Sequence, residues 1–224
     1  AKFKFSKVIG TLNQGKFNNI DYSRDYFSGN LLLEIYDKKF RFTDLSYCKP
    51  IIKNYEENIE IINKFKFNFG YLYKKIIISK IKEKITITQK IQLSNSHYFV
   101  LRPFHFTFLN SNFKNKFNIY VKNGGKDYEK FILNKNINHL KSKFNLVTST
   151  GGFGATDQKI ILDDNLNKIL FSWEKYGTHL TPMLENIHIN NKRLTRLIFT
   201  VNEIDDTSRK RKISDEFIID LSPL

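Results

Sequence analysis

Apolar and polar positions alternate along most of this chain. Phe40 and Phe42 flank Arg41, and Phe65, Phe67 and Phe69 are separated by Lys66 and Asn68. Phe3, Phe5 and the Val8-Ile9 pair have lysines between them. The clearest run is Ile85, Ile87, Ile91 and Leu93, with Thr86, Thr88, Lys90 and Gln92 on the opposite side. A period of two turns successive side chains to opposite faces of a pleated strand, so these runs predict sheet with one dry and one wet face.

The segment 97–109 is apolar on both sides. Simple alternation places Tyr98, Val100, Arg102, Phe104, Phe106 and Phe108 on one face. His97, Phe99, Leu101, Pro103, His105, Thr107 and Leu109 fall on the other. A strand with two half-buried faces belongs in the middle of a sandwich, and Pro103, which has no N–H for the ladder, predicts a bulge there.

Further strands are predicted at 115–121, 129–133, 144–149, 157–162, 167–173, 186–190, 193–202 and 215–221. Turn signals separate them at Asn123-Gly124-Gly125, Gly151-Gly152-Phe153-Gly154, Asp163-Asp164-Asn165, Asn190-Asn191 and Asp205-Asp206. Asn tolerates positive φ, so Asn190-Asn191 suits a tight hairpin. Helical periodicity is weak, and a short turn at 50–58 is its best candidate. The expected fold is all-β: one large two-sheet antiparallel sandwich spanning 1–224 as a single domain, with few short helices.

Composition adds bounds. At 224 residues and 41% hydrophobic, the chain can bury a core without metal or disulfide. One cysteine, Cys48, excludes an internal disulfide framework and a cysteine-based zinc site. No run approaches a membrane-spanning length, and the N-terminus lacks the apolar stretch of a secretory signal. A reduced, cytoplasmic setting is the expectation. The start at Ala1 without Met suggests processing or an excised piece of a longer chain.

The net charge is +15, with a pI of about 9.7. Such a surplus attracts nucleic acid, anionic membrane or acidic polymer. The chain also holds 30 Lys, 28 Ile and 24 Asn but only two Ala, a skew expected of AT-rich coding sequence. Lys outnumbers Arg 30 to 7, whereas phosphate and base recognition favours the planar Arg fork. The basic residues are dispersed, apart from Arg209-Lys210-Arg211-Lys212. Coding bias is the simpler reading, and polyanion binding the alternative.

Candidate chemistry is sparse. The loop Gly151–Asp157 runs into a strand rather than a helix, so it is no phosphate cradle, and no cofactor is expected. His179 and Glu185 lie close enough in sequence for an acid/base pair, or His179 is an ordinary loop residue. Asp163 with Asp164, and Asp205 with Asp206, could offer oxygen ligands to calcium or simply form hairpin tips. Trp173, Tyr176 and His179 follow a strand and could stack on a sugar, and Arg102 is a further candidate contact. The other reading of Trp173 is core packing.

The runs "GYLYKKIIISKIKEKITITQKIQL", "LRPFHFTFLNSNF", "NGGKDYEKF", "TSTGGFGATDQKIIL", "LTPMLENI" and "LTRLIFTVNEIDDT" occur in an order that resembles the β-rich C-terminal region of family 57 glycoside hydrolases. More loosely, they are similar to the galactose-mutarotase-like supersandwich of several α-glucan and mannoside enzymes. The similarity covers about 60–224. It implies a supersandwich packed against a catalytic barrel domain, associated with an α-glucan-like carbohydrate and itself without catalysis. Mutarotases use a His acid and a Glu base, so His105 or His179 with Glu185 or Glu203 would imitate an aldose mutarotase or epimerase. A structural assembly role is the remaining alternative.

Overall fold

The computed structural model describes residues 2–3, 6–7, 9–11, 27–44, 48–109, 117–133, 154–163, 168–174, 180–189, 192–204 and 207–224. Among them, strands β1 to β4 are two-residue pieces, Lys2–Phe3, Ser6–Lys7, Gly10–Thr11 and Phe27–Ser28. Next come β5 (Asn30–Ile35), a 3-10 turn at Tyr36–Lys38, β6 (Phe40–Thr43), β7 (Ile51–Asn54), β8 (Asn58–Phe67), β9 (Gly70–Ser79) and β10 (Ile85–Leu93). The rest are β11 (Phe99–Leu109), β12 (Phe117–Val121), β13 (Glu129–Leu133), β14 (Lys159–Asp163), β15 (Lys168–Trp173), β16 (Thr181–Ile189), β17 (Lys192–Thr200) and β18 (Ser214–Pro223).

Two large antiparallel sheets dominate, as the alternation predicts. A nine-stranded sheet runs β13-β12-β14-β15-β18-β10-β9-β8-β7, and a five-stranded sheet runs β16-β17-β11-β5-β6. The C-terminal strand β18 sits inside the larger sheet, paired on one side with β10 and on the other with β15. It joins the meander β7–β10 to the group β12–β15.

The inner faces supply the core. Phe104 and Phe106 from the smaller sheet meet Phe171 and Trp173 from the larger one, with Phe199 between them. The Phe106 and Phe171 rings lie 5.0 Å apart at 61°, and Trp173 and Phe199 lie 5.0 Å apart at 74°. Edge-to-face pairs of this kind add about 0.5–1.5 kcal/mol each beyond the burial itself.

Strand β11 bulges where Pro103 predicts. Arg102 pairs with Leu32 and His105 with Asn30, so the register shifts between them. Three residues then span two positions of the partner strand, and the side-chain parity reverses. Phe99 and Leu101 therefore join Phe104, Phe106 and Phe108 in the core, correcting simple alternation, while Arg102 and His105 share the outer face.

The turn expected at 50–58 is a correction too. Residues Ile51–Asn54 form the edge strand β7, paired with β8, and all four are exposed. Exposure on both faces erases the alternation that marks a strand. The strand expected at 144–149 lies outside the described residues. Strands β16 and β17 pair from Thr181–Thr200 to Ile189–Lys192, and the turn expected at Asn190-Asn191 lies outside the described residues.

One glycine is required by close approach. A Cβ at Gly70 would stand 1.9 Å from the backbone carbonyl oxygen of Gln92, on the neighbouring strand β10. Backbone cannot yield as a side-chain tip can, so Gly70→Ala is expected to cost about 1–3 kcal/mol. Gly125→Ala, whose Cβ would only reach ordinary contact with Asp127, is expected to stay within about 0.5 kcal/mol. Urea denaturation of the two variants measures the difference.

Candidate functional site

The bulge brings two of the nominated residues onto one surface, the outer face of the five-stranded sheet. His105 lies in register with Ile198 of β17 and Asn30 of β5, and Met183 of β16 pairs with Ile198. This outer row is withdrawn from solvent: Leu32, Val100, His105, Thr107, Met183 and Ile198 are all buried. His105 itself has no exposed surface. An imidazole so enclosed cannot meet a sugar without the structure opening around it.

At the margin of this face, Arg102 and Glu203 form a two-pronged ion pair. Arg102 donates from Nε to Glu203 Oε1 at 2.8 Å and from Nη2 to Oε2 at 2.9 Å. Thr200 Oγ1 adds a third hydrogen bond to Oε1 at 2.7 Å. The pair is mostly shielded, with the side chains 14% and 23% exposed. Both carboxylate oxygens are thus engaged, and the Arg fork is matched to its partner rather than presented to a ligand. Glu203 follows β17, so the pair ties the chain leaving that strand to the bulge in β11.

Trp173, nominated as a stacking platform, ends β15 on the inner face. It is 7% exposed and packed edge-on against Phe199, so its ring has little surface to offer a sugar. Asp163 ends β14 with its carboxylate buried and Lys168 Nζ 3.7 Å away. Among the described residues, no group of three or more His, Cys, Asp or Glu could hold a metal ion. Glu185 takes its place in β16 opposite Arg196, its side chain lying outside what is described. Tyr176, His179, Asp164, Asp205 and Asp206 also lie outside the described residues.

The structure instead pairs a different histidine with a carboxylate. His97 Nδ1 lies 3.2 Å from Asp37 Oδ2, across 60 residues of sequence. Asp37 stands in the 3-10 turn after β5, and backbone hydrogen bonds between His97 and Arg211 anchor the imidazole-bearing residue just before β11. Phe69 packs edge-on against the ring at 5.4 Å. Nothing local in the sequence announces this pair, because a 60-residue separation is closed only by the pairing of β5 with β11. A carboxylate fixing Nδ1 is how a general base is oriented, but His97 Nε2 is buried here, which makes the pair a brace.

Burial acts to raise the Asp37 carboxyl. The hydrogen bond and charge of His97, helped by backbone hydrogen bonds, outweigh it and hold the group below its ordinary value of 3.8.

No family model matches the sequence. No curated protein matches it either. Among solved structures, the chain resembles the galactosidase domain of alpha-galactosidase-sucrose kinase, AgaSK, with a TM-score of 0.57 at 12% identity. The match covers 97% of this chain and 31% of that one. The chain therefore spans under a third of the length of that protein, and at this identity the likeness is one of fold. The chain is an all-β, two-sheet antiparallel sandwich, and in fold it matches that galactosidase domain. The resemblance to family 57 finds no matching family model.

Removing one partner of the Arg102–Glu203 pair strands the other in a shielded place. Glu203→Gln is expected to lower stability by about 1.5–3 kcal/mol in urea denaturation. For Asp37, a carboxyl held low stabilises the fold above its unfolded pKa, and this contribution fades as pH falls through the lowered value. The stability gap between the native chain and Asp37→Asn should therefore be full near neutrality and close in acid. Urea melts at a series of pH values measure it.

Proposed function

We propose that this chain is a non-catalytic, carbohydrate-associated β-sandwich of a larger glucan-processing enzyme, packing beside a catalytic barrel domain. The observation that carries the reading is the fold likeness, which takes in nearly the whole of this chain and less than a third of a galactosidase. That proportion fits a unit that accompanies a reacting centre. The state of the nominated acid and base supports the non-catalytic half. His105 is enclosed, and both oxygens of Glu203 are held by Arg102. Sugar chemistry at an anomeric carbon needs a proton donor and acceptor that reach the substrate from open solvent.

Affinity electrophoresis tests the association. The chain is expected to migrate more slowly in gels containing glycogen or starch than in gels without, and equal mobility in both would overturn the carbohydrate reading. Polarimetry tests the absence of catalysis. The equilibration of α-D-glucose is expected to proceed at the buffer rate, and an acceleration lost in His105→Ala would assign the chain to the mutarotases instead.

A further inference from the structure

We propose that the outer face of the nine-stranded sheet over β8, β9 and β10 is a docking surface for an anionic polysaccharide. The register of these strands sets Lys64 beside Tyr73 and Tyr73 beside Lys90. One step along, it sets Lys66 beside Tyr71 and Tyr71 beside Gln92. Strands lie about 4.8 Å apart and alternate residues about 7 Å apart, so three ammonium stems rise from a patch roughly 10 Å across. Lys64, Lys66, Lys90 and Tyr71 are exposed, and Tyr73 is half-buried. The two tyrosines, Lys64 and Lys66 border an open groove of about 520 Å³, which Asn68 and Ser94 also line.

Charge complementarity selects the occupant. Two lysines nearby on this sheet have carboxylate partners: Lys75 reaches Glu60 at 3.9 Å and Lys84 reaches Asp220 at 3.0 Å. Among the described residues, Lys64, Lys66 and Lys90 have none within ion-pairing distance. Glu216 stands across from Lys90 in register without closing a pair. Like charges gathered this closely repel one another, and a polyanion laid along the groove would relieve them.

The remaining chemistry favours a glycan over a nucleic acid. The groove has lysines and no arginine, whereas phosphate recognition draws on the Arg fork. The Tyr71 hydroxyl donates to Gln92 Oε1, which holds one ring in place beside the amide and hydroxyl of Asn68 and Ser94. Rings for sugar faces, amides for hydroxyls and ammonium groups for carboxylates together match a uronate chain. The proposal rests on the carbohydrate reading for this preference and goes beyond it in asking for negative charge.

Titration calorimetry of the whole chain with polygalacturonate, glycogen and a single-stranded oligothymidine separates the cases. Polygalacturonate is expected to bind and to weaken as salt rises from about 0.05 to about 0.3 M. The triple variant Lys64→Gln, Lys66→Gln, Lys90→Gln is expected to lose about tenfold in affinity. A control of equal charge change, Lys38→Gln, Lys126→Gln, Lys212→Gln, should stay within about twofold. Equal losses in both variants would overturn the proposal, leaving only the diffuse pull of a +15 chain. Oligothymidine bound as tightly as the glycan, with the same variant sensitivity, would overturn it in favour of nucleic acid. Glycogen bound while polygalacturonate is not would sink this proposal and spare the carbohydrate reading; neither bound would sink both.

Discussion

A pleated strand offers no freedom in which way a side chain points, and everything in the smaller sheet follows from how β11 handles that constraint. Its neighbours are buried on both sides, so each residue must suit either the inter-sheet core or the enclosed outer layer. Without the shift between Arg102 and His105, Phe99 and Leu101 would face away from the core that Phe104, Phe106 and Phe108 fill. With it, all five apolar side chains point inward. The bulge also puts the guanidinium of Arg102 where Glu203 and Thr200 can meet it. Core packing and the main shielded ion pair of the sheet margin thus depend on one irregularity, placed where a proline withholds a ladder donor.

The two sheets are also joined by polar contact. Lys74, on the inner face of β9, donates to the carbonyl oxygen of Gly29 at 2.6 Å and to the carboxylate of Asp44, which in turn accepts the Leu31 N–H at 2.8 Å. Lysine and aspartate are both almost wholly buried. A pair like this gives little net stability, since desolvating two charges offsets their attraction. Its effect is on specificity. Sliding one sheet over the other by a residue would strand both charges in the core, so the pair selects a single alignment. Gln89, the next residue across in β10, is fully buried, and neither its amide nitrogen nor its oxygen has a protein partner among the described residues. The polar strip therefore continues through the middle of an otherwise apolar layer.

How much of this was legible in the sequence depended on burial. Strand β10 is legible to the residue because its inner positions are apolar, Gln89 excepted, and its outer ones polar. Strand β7 is not legible, because an edge strand exposed on all sides carries no alternation. The fold class was therefore secure while the edges were not. Lys74 sits in the run Tyr71–Ile78 where apolar and basic residues do not alternate cleanly, so its inward direction could be set only by pairing with Gln89. Likewise, Asp37 and His97 meet through strand order, a non-local property. The sequence marks Glu203 as a candidate base and Arg102 as a candidate sugar contact. Their mutual engagement needed the bulge, which reverses the faces that simple counting assigned.

The two outer faces of the sandwich are unequal, and this inequality limits where function can reside. The five-stranded sheet turns apolar side chains outward, Leu32, Val100, Met183 and Ile198 among them, and all are withdrawn from water. Its nominated catalytic histidine is enclosed with them. The nine-stranded sheet turns lysines and tyrosines outward along β8 to β10, and Lys64, Lys66, Tyr71 and Lys90 remain exposed. Coding bias toward lysine explains how many there are, yet it is blind to three-dimensional position. It does not explain why Lys64, Lys66 and Lys90 gather around two tyrosines with no carboxylate among the described residues within ion-pairing distance. A ligand approaching this molecule therefore meets ready chemistry on the larger sheet, and a closed layer on the smaller one.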